Sequence, residues 1–296
     1  MTAPSVASAP PELLARISDL ELVARIIVEG LVSGLHRSPF HGYSAEFSQY
    51  RHYRPGDDLK YVDWKLVART DRVYTKQFRE TTNMAAAIVL DTSASMAFPA
   101  EPLSKMRYAR DVAAALAYLI SSQGDSVALV TDAAFVGART GRQHLRRVLA
   151  TLSAVRPGGV WEPGAAVRRA AERMGRRGLL LLVSDCYDTE EYTFAELRRA
   201  ARLGHEVAVL QVVSREEIEF QYRSDVEFFD LETGASLAVN AADARRAYTD
   251  RISAFLERWR RRCITEGFQY ALMVTDIPAD RALRNFLVAR QGRRVR

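Results

Sequence analysis

The stretch Ala85-Ala86-Ala87-Ile88-Val89-Leu90-Asp91-Thr92-Ser93-Ala94-Ser95-Met96 constrains this chain more than any other. An unbroken run of small, aliphatic and β-branched residues fits a strand buried on both faces, the environment of a parallel sheet. The run ends in Asp-x-Ser-x-Ser. Asp91, Ser93 and Ser95 therefore offer three oxygen ligands just past the strand's carboxyl end, where open α/β sheets keep their ligand sites. One carboxylate and two hydroxyls suit a hard divalent cation, Mg²⁺ or Mn²⁺, better than Zn²⁺ or copper. With so few charged ligands, the ion keeps water or an open position that a partner's carboxylate can fill. The alternative is local: Asp91 caps backbone amides and the serines satisfy loop hydrogen bonds.

From Ala85 onward, strand and helix patterns alternate. Strands are expected at 85–90, 126–131, 179–183, 206–213 and 268–274, with a short edge strand at 134–137. Helices are expected at 105–122, with Ser104 as N-cap, and at 142–152, 164–174, 193–203, 241–263 and 280–289. Residues 226–230 and 236–239 read as a late β element. This alternation implies an α/β fold, a doubly wound, mostly parallel sheet with helices on both faces. Before it, apolar spacing from Leu13 to Glu29 predicts one amphipathic helix, residues 30–56 read as irregular, and 73–78 as a short strand. The expected organisation is a disordered Ala/Ser/Pro-rich leader (1–12), an N-terminal helix and docking segment (13–83), and the sheet domain with C-terminal elaborations (84–296).

A second acid falls at a strand tip. Asp185 follows the apolar run 179–183, and if that strand neighbours 85–90 the two acids converge. Between them lies a Gly/Pro-rich loop, Arg156 to Gly164, in which Glu162 is a possible additional ligand. The segment Glu46 to Thr70 mixes Arg, Asp and aromatic residues densely around a Pro-Gly-Asp turn. Arg54, Asp57, Asp58, Asp63 and Arg69 read as the polar parts of a docking or partner surface, and Trp64 as its apolar anchor.

Composition excludes several classes. The chain has 296 residues, of which 48% are hydrophobic and 26% charged, so a folded globular protein is expected. No apolar run approaches ~20 residues, so no membrane insertion is expected. The N-terminus lacks the basic start and apolar core of a secretory signal, and a cytoplasmic location is expected. Cys186 and Cys263 stand far apart, which argues against a disulfide framework or zinc site. The formal charge of +6 owes much to Arg258, Arg260, Arg261, Arg262, Arg293, Arg294 and Arg296. These read as a solvated helix face and tail. The alternative, nucleic-acid binding, demands steep salt dependence but lacks stacking or helix-turn-helix signatures. A metal-dependent phosphohydrolase is the weaker alternative: a second Asp two residues after the first would be needed as general acid, and Ser93 stands there. There is no phosphate-binding Gly-x-x-x-x-Gly-Lys loop. A non-enzymatic protein is expected.

The strand-tip pattern resembles the von Willebrand factor A fold and its metal-ion-dependent adhesion site. Asp91, Ser93 and Ser95 match its first loop and Asp185 its third. Cys186 replaces the usual Gly, and Val160 stands where the second loop carries a ligating Thr. The Tyr-Arg-Pro-Gly-Asp-Asp block at 53–58, Asp63-Trp64 and Ala68-Arg69 resemble the bacterial family called domain of unknown function fifty-eight, whose members pair such a block with a von Willebrand A-like domain. That resemblance implies an adaptor working with a MoxR-type AAA+ ATPase on an unidentified protein client in assembly or maturation, with no enzymatic activity to carry over.

Overall fold

The computed structural model describes residues 8–33, 44–54, 62–70, 72–81, 84–159, 161–175, 177–187, 190–222, 224–231 and 234–294. It divides into two compact units, Met1–Pro39 with Met84–Arg296, and Phe40–Asn83.

The larger unit opens with α1 (Pro11–Leu14) and α2 (Leu20–Ser33). The single helix expected over 13–29 is broken because Asp19 caps a new one. Its Oδ1 accepts from the backbone N–H groups of Glu21 at 2.9 Å and Leu22 at 3.3 Å, donors that a helix start leaves without partners. Nor does Gly30 end α2. It sits where Asp280 packs, and a Cβ there would stand 3.2 Å from Asp280 Oδ2.

The smaller unit contains β1 (Ser44–His52), α3 (Trp64–Thr70) and β2 (Tyr74–Thr81). The two strands form an antiparallel ribbon with an irregularity between Phe47 and Gln49. The irregular reading of 30–56 is thus corrected at 44–52. Tyr50 donates to Asp63 Oδ2 at 2.8 Å, and Asp63 Oδ1 accepts from Leu66 N–H at 3.1 Å at the start of α3. Trp64 is 62% exposed. Asp57 and Asp58 lie outside the described residues.

The rest of the larger unit alternates as the sequence implies. In chain order it comprises β3 (Ala85–Leu90), α4 (Lys105–Ser122), β4 (Ser126–Val130), β5 (Phe135–Arg139), α5 (Arg142–Ala154), α6 (Pro163–Arg173), β6 (Gly178–Ser184), α7 (Glu190–Arg202), β7 (Glu206–Val213), α8 (Arg215–Glu219), β8 (Val226–Phe229), β9 (Ser236–Val239), α9 (Ala241–Thr265), β10 (Gln269–Val274) and α10 (Ala279–Arg294). Six strands form one sheet in the order β10-β7-β6-β3-β4-β5, parallel except for β5. β8 and β9 form a separate antiparallel hairpin.

Strand side chains alternate between faces. Ala85, Ala87 and Val89 join Leu180, Leu182, Val207 and Val209 in one core, roofed by Val167 and Ala170 of α6, Phe194 and Leu197 of α7, and Trp259 of α9. α4 and α10 also pack on the sheet, and α2 lies on α4. Being covered by both sheet and helix, α4 is buried nearly all round, which is why it is so rich in Ala. Its N-cap is Ser104, whose Oγ accepts from Arg107 N–H at 3.1 Å. Among the described residues, no helix is long and apolar enough to cross a membrane.

Candidate functional site

β3 begins the sheet's strand order in both directions. The chain runs from β3 through β4 and β5 toward one edge, then returns to build β6, β7 and β10 toward the other. The carboxyl ends of β3 and β6 therefore form the topological switch point, the place where such sheets bind ligands. Leu90 pairs with Val183, and Asp91 N–H continues the ladder to Val183 O at 2.9 Å. This register sets Asp91 beside Ser184 and Asp185. The 156–162 loop joins them through backbone bonds, Gly158 N–H to Thr92 O at 2.9 Å and Ala94 N–H to Gly159 O at 3.1 Å. Val160 lies outside the described residues.

The side chains form one connected chain of oxygens. Ser184 Oγ donates to Asp91 Oδ2, and Asp91 Oδ1 accepts from Ser93 N–H at 2.8 Å. Ser95 Oγ donates to Asp185 Oδ2 at 2.8 Å, and Ser93 Oγ and Ser95 Oγ share a hydrogen bond of 2.9 Å. Because a hydroxyl has one proton, Ser93 is the donor in that pair. Asp185 is held from behind, its Oδ1 by Tyr187 N–H at 3.3 Å and its carbonyl by Gln211 Nε2 at 3.0 Å. Asp91 and Ser93 are fully buried. Burial, and then the charge of Asp185, push the Asp91 carboxyl up to about 8, against partial relief from the Ser184 and Ser93 hydrogen bonds.

The donor set fits a hard cation. Neighbouring ligands around an octahedral Mg²⁺, at about 2.1 Å each, stand roughly 3 Å apart. The Ser93–Ser95 and Ser95–Asp185 oxygens are 2.9 and 2.8 Å apart. Among the described residues, no group of three or more His, Cys, Asp or Glu side chains is placed to hold a metal, so any ion here depends on the serine hydroxyls. The local alternative is also visible: every one of these oxygens already has a protein hydrogen-bond partner. Glu162 is placed elsewhere. It precedes α6 and lines a hollow of about 470 Å³ with Asp132, Arg168, Arg169 and Glu172.

Two residues that the sequence reading did not single out complete the site. Lys105 Nζ donates to Asp185 Oδ2 at 2.7 Å and to Glu217 Oε1 at 2.6 Å, with the Tyr187 ring 4.8 Å away. Burial lowers the pKa of Lys105, but Asp185 and Glu217 outweigh it and hold the ammonium above its ordinary range. A usable signal for Lys105 was its position: a lysine opening a helix opposes the positive end of the macrodipole, so something acidic had to be nearby. Ser95, Lys105, Tyr187 and Glu217 face a hollow of about 640 Å³ walled by Tyr222 and residues 226–231.

The arginine stretch of α9 carries its own counter-charges. Arg258 pairs with Glu190, Arg260 and Arg261 with Glu257, and Arg262 with Glu190 and Glu191.

Fold and strand-tip loops define a von Willebrand factor A-like α/β domain, the class that the sequence resemblance implies. The model of the family described as protein of unknown function DUF58 matches residues 49–255, and the chain belongs to that family. It is 32% identical over 231 residues to the uncharacterized proteins Rv1480 of Mycobacterium tuberculosis and Mb1516 of Mycobacterium bovis, covering 76% of this chain and 72% of each relative. Similar solved structures include BatB from Bacteroides thetaiotaomicron, at 15% identity over 71% of this chain and 99% of that chain, with a TM-score of 0.44. Another is manganese-loaded TRAP from Plasmodium vivax, at 15% identity over 43% of this chain and 56% of that one, with a TM-score of 0.33.

Proposed function

We propose that this chain is a non-enzymatic, cytoplasmic interaction module that grips an acidic side chain of a partner protein through Mg²⁺ or Mn²⁺ at the strand tips. Asp91, Ser93, Ser95 and Asp185 would hold the ion, which when bound supplies an open coordination position for a partner's carboxylate. The observation that carries this reading is the run Ser93–Ser95–Asp185, with oxygens 2.9 and 2.8 Å apart at the sheet's switch point. The adjoining hollow leaves room for partner residues that flank the acid. Carried over from the sequence resemblance alone, a MoxR-type AAA+ ATPase would be the working companion, with a separate protein as client.

The test is a Mn²⁺ titration followed by electron paramagnetic resonance on the full chain and on Asp91→Ala, with circular dichroism confirming that both fold. Saturable binding that Asp91→Ala abolishes supports the metal bridge. Absence of binding by folded wild type removes it. Capture of a purified MoxR-type ATPase, compared in Mg²⁺ and in chelator, then tests the companion.

A further inference from the structure

Lys105 carries a buried charge. Its side chain is 1% exposed, as is that of Asp185, which it contacts at 2.7 Å. A buried ammonium needs compensation from close, well-aligned partners, and Lys105 has two, Asp185 and Glu217. The Asp185 oxygen that it holds, Oδ2, is the one that also accepts from Ser95. That oxygen ends the run that fits an octahedral ion. A divalent ion bound there would share a ligand with a buried ammonium, and like charges so close in a low-dielectric site repel strongly.

We infer that Lys105 is a built-in competitor for the metal position: its ammonium bridges Asp185 and Glu217 when no ion is bound, and an ion drives it off Asp185 and leaves it to Glu217 alone. This rests on the metal reading proposed above. Lys105 is a positioning residue here, tuning affinity through Asp185. Its release has a mechanical consequence. Glu217 lies on α8 and closes a capping box with Ser214. The next residue but two, Phe220, stands at φ 47° and packs on Tyr222, Phe228 and Tyr248 at ring distances of 5.2, 5.7 and 4.7 Å. Phe228 belongs to β8. A shift of charge onto Glu217 therefore reaches the β8–β9 hairpin, one wall of the hollow, through a short packed path.

The experiment uses the full chain, with Mn²⁺ as probe. Electron paramagnetic resonance titrations compare wild type with Lys105→Met and Lys105→Arg, at low and high salt. A nearby cationic side chain moves a carboxylate's proton affinity by roughly one to three powers of ten, and the same electrostatics act on the affinity of Asp185 for a metal cation. Lys105→Met should thus bind Mn²⁺ about tenfold or more tightly, with the gain persisting in high salt, while Lys105→Arg stays near wild type. Hydrogen exchange is the second readout: Mn²⁺ should change protection over β8 (Val226–Phe229) and β9 (Ser236–Val239) in wild type but not in Lys105→Met. Binding by Lys105→Met where wild type binds nothing makes Lys105 a block on the site that no ion displaces, and overturns the inference. Saturable wild-type binding with equal or weaker affinity in folded Lys105→Met overturns it and leaves the metal reading standing. No binding by either folded protein overturns both. If Lys105→Met does not fold, Glu217→Gln carries the test. It leaves Lys105 with Asp185 alone, so Mn²⁺ should bind more weakly, and unchanged affinity overturns the inference.

Discussion

Gly164, in the first turn of α6, lies against the ring of Tyr192 on α7, so closely that a Cβ at Gly164 would stand 2.5 Å from Tyr192 Cδ1. Ala normally improves on Gly inside a helix by about 0.8–1.0 kcal/mol. Here overpacking, typically about 1–3 kcal/mol, outweighs that gain, and Gly164→Ala should lower stability in urea unfolding. With Tyr192→Ala in the background the clash is gone, and the same substitution should stabilise. A double-mutant cycle showing no coupling would refute the contact.

Asp91 gives the metal-free protein a definite pH dependence. Its carboxyl is pushed from 3.8 to about 8, chiefly by burial and then by Asp185. Between those values the folded state holds a proton that the unfolded state has released, so stability is greatest at the acid end of the window and falls as pH rises through it. The slope from one group is at most about 1.4 kcal/mol per pH unit. Asp111, raised to about 6 by burial, adds the same sign at the acid end. Asp91→Asn should therefore flatten the profile from about 6 to 8 and roughly halve the slope from about 4 to 6, where Asp111 still contributes. Since a metal needs the carboxylate, Mn²⁺ affinity should climb over this same range and release a proton on binding. Urea midpoints in chelator, measured at half-unit steps of pH for both proteins, check this.

The parts of the chain that could be read in advance share a physical property: their burial is continuous. β3, β6 and β7 are apolar on both faces, α4 is Ala-rich, and Asp91 and Asp185 end their strands, so both the sheet and its crevice were legible. β1 was not. Ser44-Ala45-Glu46-Phe47-Ser48-Gln49 shows little apolar alternation, because a two-stranded ribbon is defined by its hydrogen bonds more than by a buried face. The break at Asp19 was hidden by apolar residues that keep helical spacing across it. Glu217 could not be assigned because it stands 112 positions from Lys105, and only the path from β7 into α8 brings it to the switch point.

Cys186 occupies a left-handed backbone position, φ 64°, and is buried. Non-glycine residues pay roughly 1–2 kcal/mol there, which accounts for the Gly that the resembling pattern places at this position. Cys186→Ala loses the sulfur and keeps the strain. Cys186→Gly loses one carbon more but sheds the strain. The two should match within about 0.5 kcal/mol, whereas at an ordinary position Gly falls below Ala by roughly 0.5–1 kcal/mol from backbone entropy alone. Chemical denaturation of both variants decides it, and a Gly variant clearly less stable than the Ala variant would mean that the backbone there is unstrained.

Phe229 and Leu231 are 63% and 52% exposed, and both line the hollow beside Ser95 and Lys105. Side chains so exposed contribute little to folding, and substitution should change stability by no more than about 0.5 kcal/mol. Large apolar side chains beside a ligand crevice are instead suited to contact with a partner. Phe229→Ser with Leu231→Ser should keep the thermal midpoint and the Mn²⁺ affinity of wild type, while weakening capture of the proposed partner, a purified MoxR-type ATPase, several-fold. Calorimetry, the Mn²⁺ titration and the capture assay separate three sources of loss: fold, ion and hairpin wall. Full capture by the double variant would place the partner's footprint away from the hairpin, on the Asp91 side of the crevice alone.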